Sequence, residues 1–210
     1  MNGNGEIVLL FHGLWMNRAA MLPLAASLAS RGYRSRTVGY FSTLRGLQYN
    51  VAGVRRAISD SSGSTVHLVA HSMGGVLCLQ ALEETLPTRV SRLVLLGAPI
   101  HGCAGGRQLA ASRWGAPLLG TSRSLWESMP ELDIPSGVQA GAIAGTRRFG
   151  LGRLVLKLPN PNDGVVTVTE TEHPRLADHI TLPVAHSQML ISPLVARQVA
   201  AFLERGRFAR

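Results

Sequence analysis

Short apolar runs alternate with segments of helical periodicity along most of the chain, and this alternation constrains the fold more than any other feature. The runs, rich in Val, Ile and Leu as buried parallel strands are, cover residues 7–11, 37–40, 66–70, 93–96, 138–144 and 179–184. Strands separated by helices predict a mostly parallel sheet with helices on both faces. We therefore predict an α/β fold, and the 210 residues correspond to a single domain over residues 1–210.

Start and stop signals place helices between these strands. Asn, Ser and Pro favour helix starts, whereas a Gly, or a Pro that follows, favours an end. The predicted helices run from Asn17 to Gly32, from about residue 45 to 59, from about residue 74 to 86 before Pro87, and from Ser192 to Gly206.

Two connections, residues 101–135 and 149–163, are longer than the others. Long connections in compact domains are often functional. The first carries more apolar side chains than a solvated loop does, so we predict a partial cap over the site. A helix packed into the outer layer of the sheet stays open as the alternative. The side chains concerned are Trp114, Leu118, Leu119, Leu125 and Trp126.

The chain is basic, with 21 Lys and Arg against 12 Asp and Glu and a net charge of +9. A basic surface can attract nucleic acid or anionic lipid. The basic residues are dispersed, with no run longer than the pairs Arg55-Arg56 and Arg147-Arg148, and no nucleic-acid-binding motif accompanies them. We therefore predict no nucleic-acid partner.

Membrane, export and metal signals are weak. The longest apolar stretch, residues 93–100, is far shorter than the ~20 residues of a membrane-spanning helix, so no integral membrane association is expected. The acidic Glu6 and the short run that follows it differ from a secretory signal, which predicts a cytoplasmic protein. Cys78 and Cys103 lack the spacing of a zinc site or redox motif. The serine chemistry predicted below needs no metal or organic cofactor.

The sharpest chemical signal is the segment 66–75, where a predicted strand leads directly into Ser72 and a helix follows at once. This is the context of a nucleophile elbow, in which a tight turn lifts the serine hydroxyl above the sheet. Ala70 and Gly74 are small, as the close approach of strand and helix requires. The usual pattern is G-x-S-x-G, and Ala70 departs from it by a methyl group. An ordinary strand-to-helix loop is the alternative.

A second signal, His12-Gly13-Leu14, directly follows the first predicted strand. A serine nucleophile needs two backbone N–H groups that hold the developing oxyanion. Leu14 and Met73 are positioned to supply them, since one lies in a loop at a strand end and the other follows the nucleophile. Gly13 allows close backbone approach, and His12 is interpreted as support for the loop. A plain turn is the alternative.

The third signal is chain order, because this architecture places an acid and then a histidine after the serine. Asp163 follows a predicted strand on the side where ligands bind, and His186 follows the next strand in the same way. We predict Asp163 as the acid and His186 as the base. The other aspartates and two other histidines are less well placed: Asp60, Asp133, Asp178, His173 and His179. Glu170 and Glu172 stay open as rivals for the acid.

Five motifs occur in a familiar order: Phe11-His12-Gly13-Leu14, Ala70-His71-Ser72-Met73-Gly74-Gly75, Leu96-Gly97-Ala98-Pro99, Asn162-Asp163-Gly164-Val165-Val166 and His186-Ser187. In these motifs the chain resembles the α/β-hydrolase superfamily, in particular the small bacterial lipase/esterase group that includes the minimal Bacillus lipases. The resemblance extends from about residue 6 to 206. It implies a triad of Ser72, Asp163 and His186, with Leu14 and Met73 as oxyanion donors.

These residues predict a serine hydrolase that cleaves carboxylic esters through an acyl-enzyme. We expect a small-molecule ester with an apolar acyl chain as substrate. Acyl transfer or thioester hydrolysis at the same site stays open, as does a non-catalytic ligand-binding role. The predicted pocket lining consists of Trp15, Tyr40, Phe41, Met73 and parts of residues 101–135.

Overall fold

Six strands form one sheet in the computed structural model, which describes residues 5–61, 63, 65–84, 90–149 and 156–210. The spatial order is β2-β1-β3-β4-β5-β6, and every neighbouring pair is parallel. The predicted α/β class is therefore confirmed. The strands are β1 (Glu6–Phe11), β2 (Ser35–Val38), β3 (Thr65–His71), β4 (Val90–Leu96), β5 (Gln139–Gly145) and β6 (Asp178–Leu182).

Helices cover both faces of this sheet. The α-helices are α1 (Leu22–Ala29), α2 (Leu47–Ser59), α3 (Met73–Leu82), α4 (Ala104–Ala111), α5 (Gly115–Leu119), α6 (Arg123–Glu127) and α7 (Pro193–Arg205). Short 3-10 turns occur at Arg18–Met21, Gly120–Ser122, Thr169–Thr171 and Ser187–Leu190. No helix in the described ranges is long and apolar enough to cross a membrane.

Alternating side chains of each strand supply two separate cores. In β1, Leu9 and Phe11 join the cluster that contains the apolar faces of α2 and α3. Val8 and Leu10 point the other way and join the cluster with α1 and α7. Because successive strand residues face opposite sides, burial on both faces requires a continuous apolar run. This is why the strands could be recognised from composition.

Several predicted boundaries shift by a few residues. β2 is Ser35–Val38 rather than 37–40, and α2 begins at Leu47 rather than near residue 45. The Asn17 side chain caps the 3-10 turn Arg18–Met21 instead of an α-helix. α3 ends at Leu82, and the predicted stop at Leu86-Pro87 lies outside the described residues.

The last helix follows its sequence signals closely. The Ser192 side chain accepts a hydrogen bond from the backbone of Val195 at its start. Gly206 adopts the left-handed conformation at its end, with φ of 70°, a common way to terminate a helix. Local capping chemistry therefore sets both of its ends.

Most of the long connection 101–135 packs as an outer layer. Leu119, Leu125 and Trp126 are buried in the cluster shared with α2 and α3, so the alternative of outer-layer packing holds for these three. Trp114 and Leu118 are instead 79% and 62% exposed. Of the five apolar side chains considered for a cap, these two are exposed and available to cover a site.

The order of the strands creates the place where a site can form. β1 lies between β2 and β3, so the chain leaves β1 toward one side of the sheet and returns on the other. Loops diverge at such a switch point and leave a crevice at the carboxyl ends of the strands. Ser72 and His12 directly follow the two strands that flank this point.

Candidate active site

Ser72 occupies a strained turn between β3 and α3. Its backbone has φ of 53° and ψ of −124°, a region that side-chain-bearing residues rarely adopt. Its N–H donates to the Leu96 carbonyl at 2.9 Å, which ties the turn to the end of β4. The residue is 7% exposed, so the turn leaves only a small part of the serine accessible.

The small residues around the turn are sterically required. A Cβ on Gly74 would lie 2.5 Å from the His12 carbonyl oxygen, and one on Gly75 would lie 2.4 Å from the Ala98 Cβ. Ala70 is fully buried in β3 beside Phe11, where its methyl group is accommodated. The strand, the turn and the start of α3 thus pack closely against β1 and β4.

Asp163 and His186 form a buried hydrogen-bonded pair. The two side chains meet at 2.6 Å between His186 Nδ1 and Asp163 Oδ2, and the His186 backbone N–H donates to the Asp163 carbonyl at 3.0 Å. The other carboxylate oxygen accepts from the backbone of Val165 and Val166. Because a carboxylate accepts, Nδ1 carries the proton and Nε2 is left as the basic nitrogen.

Gly97 makes room for this pair and was not singled out by the chemical reasoning from sequence. Its φ is 55°, and a Cβ there would lie 3.0 Å from Asp163 Oδ2 and 3.1 Å from His186 Nδ1. Its only sequence signal was its place in the motif Leu96-Gly97-Ala98-Pro99. The end of β4 therefore supports both the serine turn and the hydrogen-bonded pair of Asp163 and His186.

His71 connects the pair to the serine turn. Its ring contacts the His186 ring with 4.6 Å between centroids, and it immediately precedes Ser72. The structure therefore brings Ser72, His186 and Asp163 into one region. Within the described ranges the Ser72 hydroxyl makes no hydrogen bond, and such contacts commonly tighten only when a substrate binds.

The loop after β1 lies directly against the serine turn. A Cβ on Gly13 would lie 2.9 Å from His71 Nδ1 and 3.1 Å from the Ser72 Cβ. Met73 is the first residue of α3, so its N–H has no acceptor within the helix, and the Leu14 N–H meets no acceptor among the described residues. Two backbone donors are thus free near the serine.

His12 supports this loop as a neutral side chain. Its Nδ1 lies 2.9 Å from the Gly13 carbonyl, and its Nε2 accepts from the Tyr40 N–H at 3.4 Å. Burial lowers the pKa of His12, which keeps the ring uncharged. Tyr40 stacks on this ring at 4.1 Å and donates its hydroxyl proton to the His12 carbonyl, so it supports the loop.

The rival acid Glu170 and two of the less well placed aspartates are engaged elsewhere. The Glu170 carboxylate accepts from Ala104 and Thr167 and joins the start of α4 to the loop that carries Asp163. Asp133 pairs with Arg175 at 2.8 Å, and Asp178 accepts from the backbone of Phe208. Among the described residues, His186 forms an ion-pair contact with Asp163 and with no other carboxylate.

The two cysteines and the grouping of potential metal ligands also bear on the chemistry of the site. Cys78 and Cys103 are both free and buried, and burial raises the pKa of the Cys103 thiol to about 12. A thiol with that pKa is unreactive at neutral pH. Within the described ranges, no group of three or more His, Cys, Asp or Glu side chains is placed to hold a metal ion.

Comparisons with known proteins agree with this architecture. A model of the alpha/beta hydrolase family matches residues 7–206. The mature lipase BlEst2 of Bacillus licheniformis is 21% identical with a TM-score of 0.74, over 99% of this chain and 94% of that one.

Two further solved structures have the same fold. A metagenomic carboxyl esterase is 17% identical with a TM-score of 0.73, over 98% of this chain and 76% of that one. A pyrethroid hydrolase of Sphingobium faniae JZ-2 is 15% identical with a TM-score of 0.60, over 95% and 98%. No curated protein sequence matches the chain.

Proposed function

This chain belongs to the alpha/beta hydrolase family, and from that membership and the geometry of its site we propose that it hydrolyses carboxylic esters. One observation carries the proposal. Ser72 lies in a strained turn whose neighbouring residue, His71, contacts His186, and His186 is hydrogen-bonded to Asp163 at 2.6 Å. A nucleophile, a base and an orienting acid in this relation are the parts that acyl transfer through a serine requires.

In the proposed reaction, Ser72 Oγ attacks the ester carbonyl while His186 Nε2 takes the hydroxyl proton. The tetrahedral intermediate collapses, the ester C–O bond breaks, and His186 gives the proton to the departing alcohol. Water then attacks the acyl-enzyme with the same base, which releases the acid and restores Ser72. Asp163 accepts the hydrogen bond from His186 Nδ1 and stabilises the imidazolium.

The backbone N–H groups of Leu14 and Met73 are the proposed oxyanion donors. Both meet no acceptor within the described part of the chain, and both lie on segments packed against Ser72. Each such donor contributes about 10²–10³ in turnover when it is aimed at the developing charge. The stacked His12 and Tyr40 rings hold the Leu14 segment in place.

Exposed apolar side chains lie near the loop after β1 that carries His12, Gly13 and Leu14, which we call the oxyanion loop, and they support an apolar acyl chain as substrate. Trp15 and Phe41 are 56% and 54% exposed. The Trp15 indole N–H donates to the Leu118 carbonyl at 2.7 Å, so the exposed part of the 101–135 connection adjoins the same loop. The names of two similar structures, a lipase and a carboxyl esterase, support an ester as the substrate.

Fluorophosphonate labelling combined with ester hydrolysis tests this proposal. The wild type is expected to be labelled at Ser72 and to cleave chromogenic esters over a range of acyl lengths. Ser72→Ala should lose both properties, with about 10⁴–10⁶ less turnover. Ser61→Ala is the matched control, because Ser61 is also buried but bonds the Ala57 carbonyl at the end of α2.

Two results would reject the assignment: label on another serine, or near-normal hydrolysis by Ser72→Ala. Adding an alcohol acceptor during the assay distinguishes the acyl-transfer alternative. If product partitions to the new ester in preference to the acid at low alcohol concentration, transfer is the reaction.

A further inference from the structure

We propose that His71 is a positioning residue, which holds the loop that carries His186 against the serine turn by a hydrogen bond to its main chain. The role of His71 in catalysis rests on the proposed function, whereas its positioning of His186 can be measured without a substrate. His71 lies at the end of β3, directly before Ser72, so a single ring would connect two separate parts of the site.

The hydrogen bond and the ring contact of His71 both lead to the site. Its Nε2 lies 3.1 Å from the main-chain carbonyl oxygen of His186. Its ring contacts the His186 ring at 4.6 Å, with an angle of 49° between the planes. Its other nitrogen, Nδ1, lies against Gly13 in the oxyanion loop. The ring therefore lies between the serine turn, the base and the oxyanion loop.

Chemistry determines which nitrogen of His71 carries the proton. A carbonyl oxygen only accepts, so Nε2 must be the N–H donor. Burial is the largest cause that lowers the pKa of His71 well below its ordinary value, so the ring is neutral and Nδ1 has no proton. A neutral ring next to His186 adds no positive charge that would oppose formation of the imidazolium.

His67 provides a matched control on the same strand. It is 1% exposed, and neither of its ring nitrogens has a hydrogen-bond partner among the described residues. It lies four residues before His71, which is about 13 Å away toward the opposite end of the strand. A substitution at His67 therefore removes a buried histidine from β3 and keeps the contact to His186, whereas a substitution at His71 removes both.

Two substitutions of nearly equal shape separate hydrogen bonding from packing. His71→Gln keeps an N–H donor near the position of Nε2, whereas His71→Met fills similar space without one. His71→Met is expected to lower kcat about 10- to 100-fold, the scale of a catalytic group displaced by about 1 Å, with KM changed less than about twofold. His71→Gln should recover most of the loss, and His67→Met should leave kcat unchanged.

Ring ¹H–¹⁵N spectra of His186 give a readout that needs no activity. The His186 resonances, identified by their loss in His186→Gln, should shift in His71→Met, return toward wild type in His71→Gln and stay unchanged in His67→Met. If His71→Met does not fold, His71→Asn, whose shorter amide cannot reach the carbonyl, provides the same comparison.

The two proposals fail in different ways. Unchanged His186 resonances and kcat in the folded donor-less variant would overturn the positioning role, even with an active esterase. Equal losses in His71→Gln and His71→Met would also overturn it, since packing alone would then explain both. A wild type that neither cleaves esters nor reacts with fluorophosphonate would reject the proposed function, while the spectra would still decide the role of His71.

Discussion

Replacing Ser72 with glycine should stabilise the protein relative to replacing it with alanine, although both changes remove the proposed nucleophile. Ser72 has φ of 53° and ψ of −124°, and a residue with a Cβ in such a region is strained by about 1–3 kcal/mol. Alanine keeps its Cβ and therefore the strain. Glycine has none, so the strain is released.

The net effect can be worked from two opposing contributions. Release of strain favours Ser72→Gly by about 2 kcal/mol, the middle of the range for such conformations. The more flexible unfolded chain of the glycine variant opposes it by about 0.4–1 kcal/mol. The free energy of unfolding of Ser72→Gly should therefore exceed that of Ser72→Ala by about 1 kcal/mol. Because the hydroxyl bonds no described residue, its loss contributes little to either variant.

Urea unfolding of the two inactive variants measures this difference. In thermal unfolding, each kcal/mol should appear as a difference of about 2–4 °C in Tm at this chain length. Ser61 is the control, because it has no positive φ. There the order should reverse, with Ser61→Gly less stable than Ser61→Ala by about 0.4–1 kcal/mol. Equal or lower stability of Ser72→Gly than of Ser72→Ala would refute strain at the turn.

Three further outcomes are expected. Asp163→Asn should lower turnover about 10⁴-fold, as in a comparable triad, because the amide no longer fixes the His186 tautomer. The control Asp178→Asn, at the far end of β6, should keep its activity. Ester kinetics that show equal losses in the two variants would contradict the assignment. Leu119→Ala should cost about 2–5 kcal/mol in urea unfolding, whereas the exposed Leu118→Ala should change acyl-length preference and leave stability near wild type. The free energy of unfolding should also fall in acid, because histidines of the unfolded chain take up protons below about pH 6.5 while the buried histidines of the folded chain stay neutral. Each such histidine lowers it by up to about 1.4 kcal/mol per pH unit. The histidines concerned are His12, His67 and His71, whose pKa values burial lowers. Their contribution to stability is present above pH ~6.5 and is lost as the pH drops. A free energy of unfolding that stays constant between about pH 7.5 and 5.5 would contradict this prediction.

The layout of the fold could be predicted from the sequence because it depends on local pattern. Strands buried on both faces are apolar at most positions, so the runs around β1, β3 and β4 were recognisable. Ser192 and Gly206 mark the ends of α7 by chemistry that acts within one helical turn. Predictions failed by a few residues where a contact distant in sequence intervenes, as at Tyr40, which leaves β2 and stacks on His12.

Much of the candidate site was also predictable, because order along the chain limits the choices. Ser72 could be selected since a strand, a small-residue turn and a helix follow each other without a gap. Asp163 and His186 could be selected because each follows a strand that ends at the same edge of the sheet. The sequence left Glu170 as a rival acid, since it lies in the same connection.

Only the tertiary structure shows which of these groups meet. Glu170 binds Ala104 and Thr167, while Asp163 reaches a histidine 23 residues further along the chain. The close fit of Gly97 against that pair joins segments from different strands. Periodicity and capping report what a residue does within about one helical turn or one strand. Distances between separate loops arise from how the sheet orders its strands, so the contacts that position a reacting group became visible only in the folded chain.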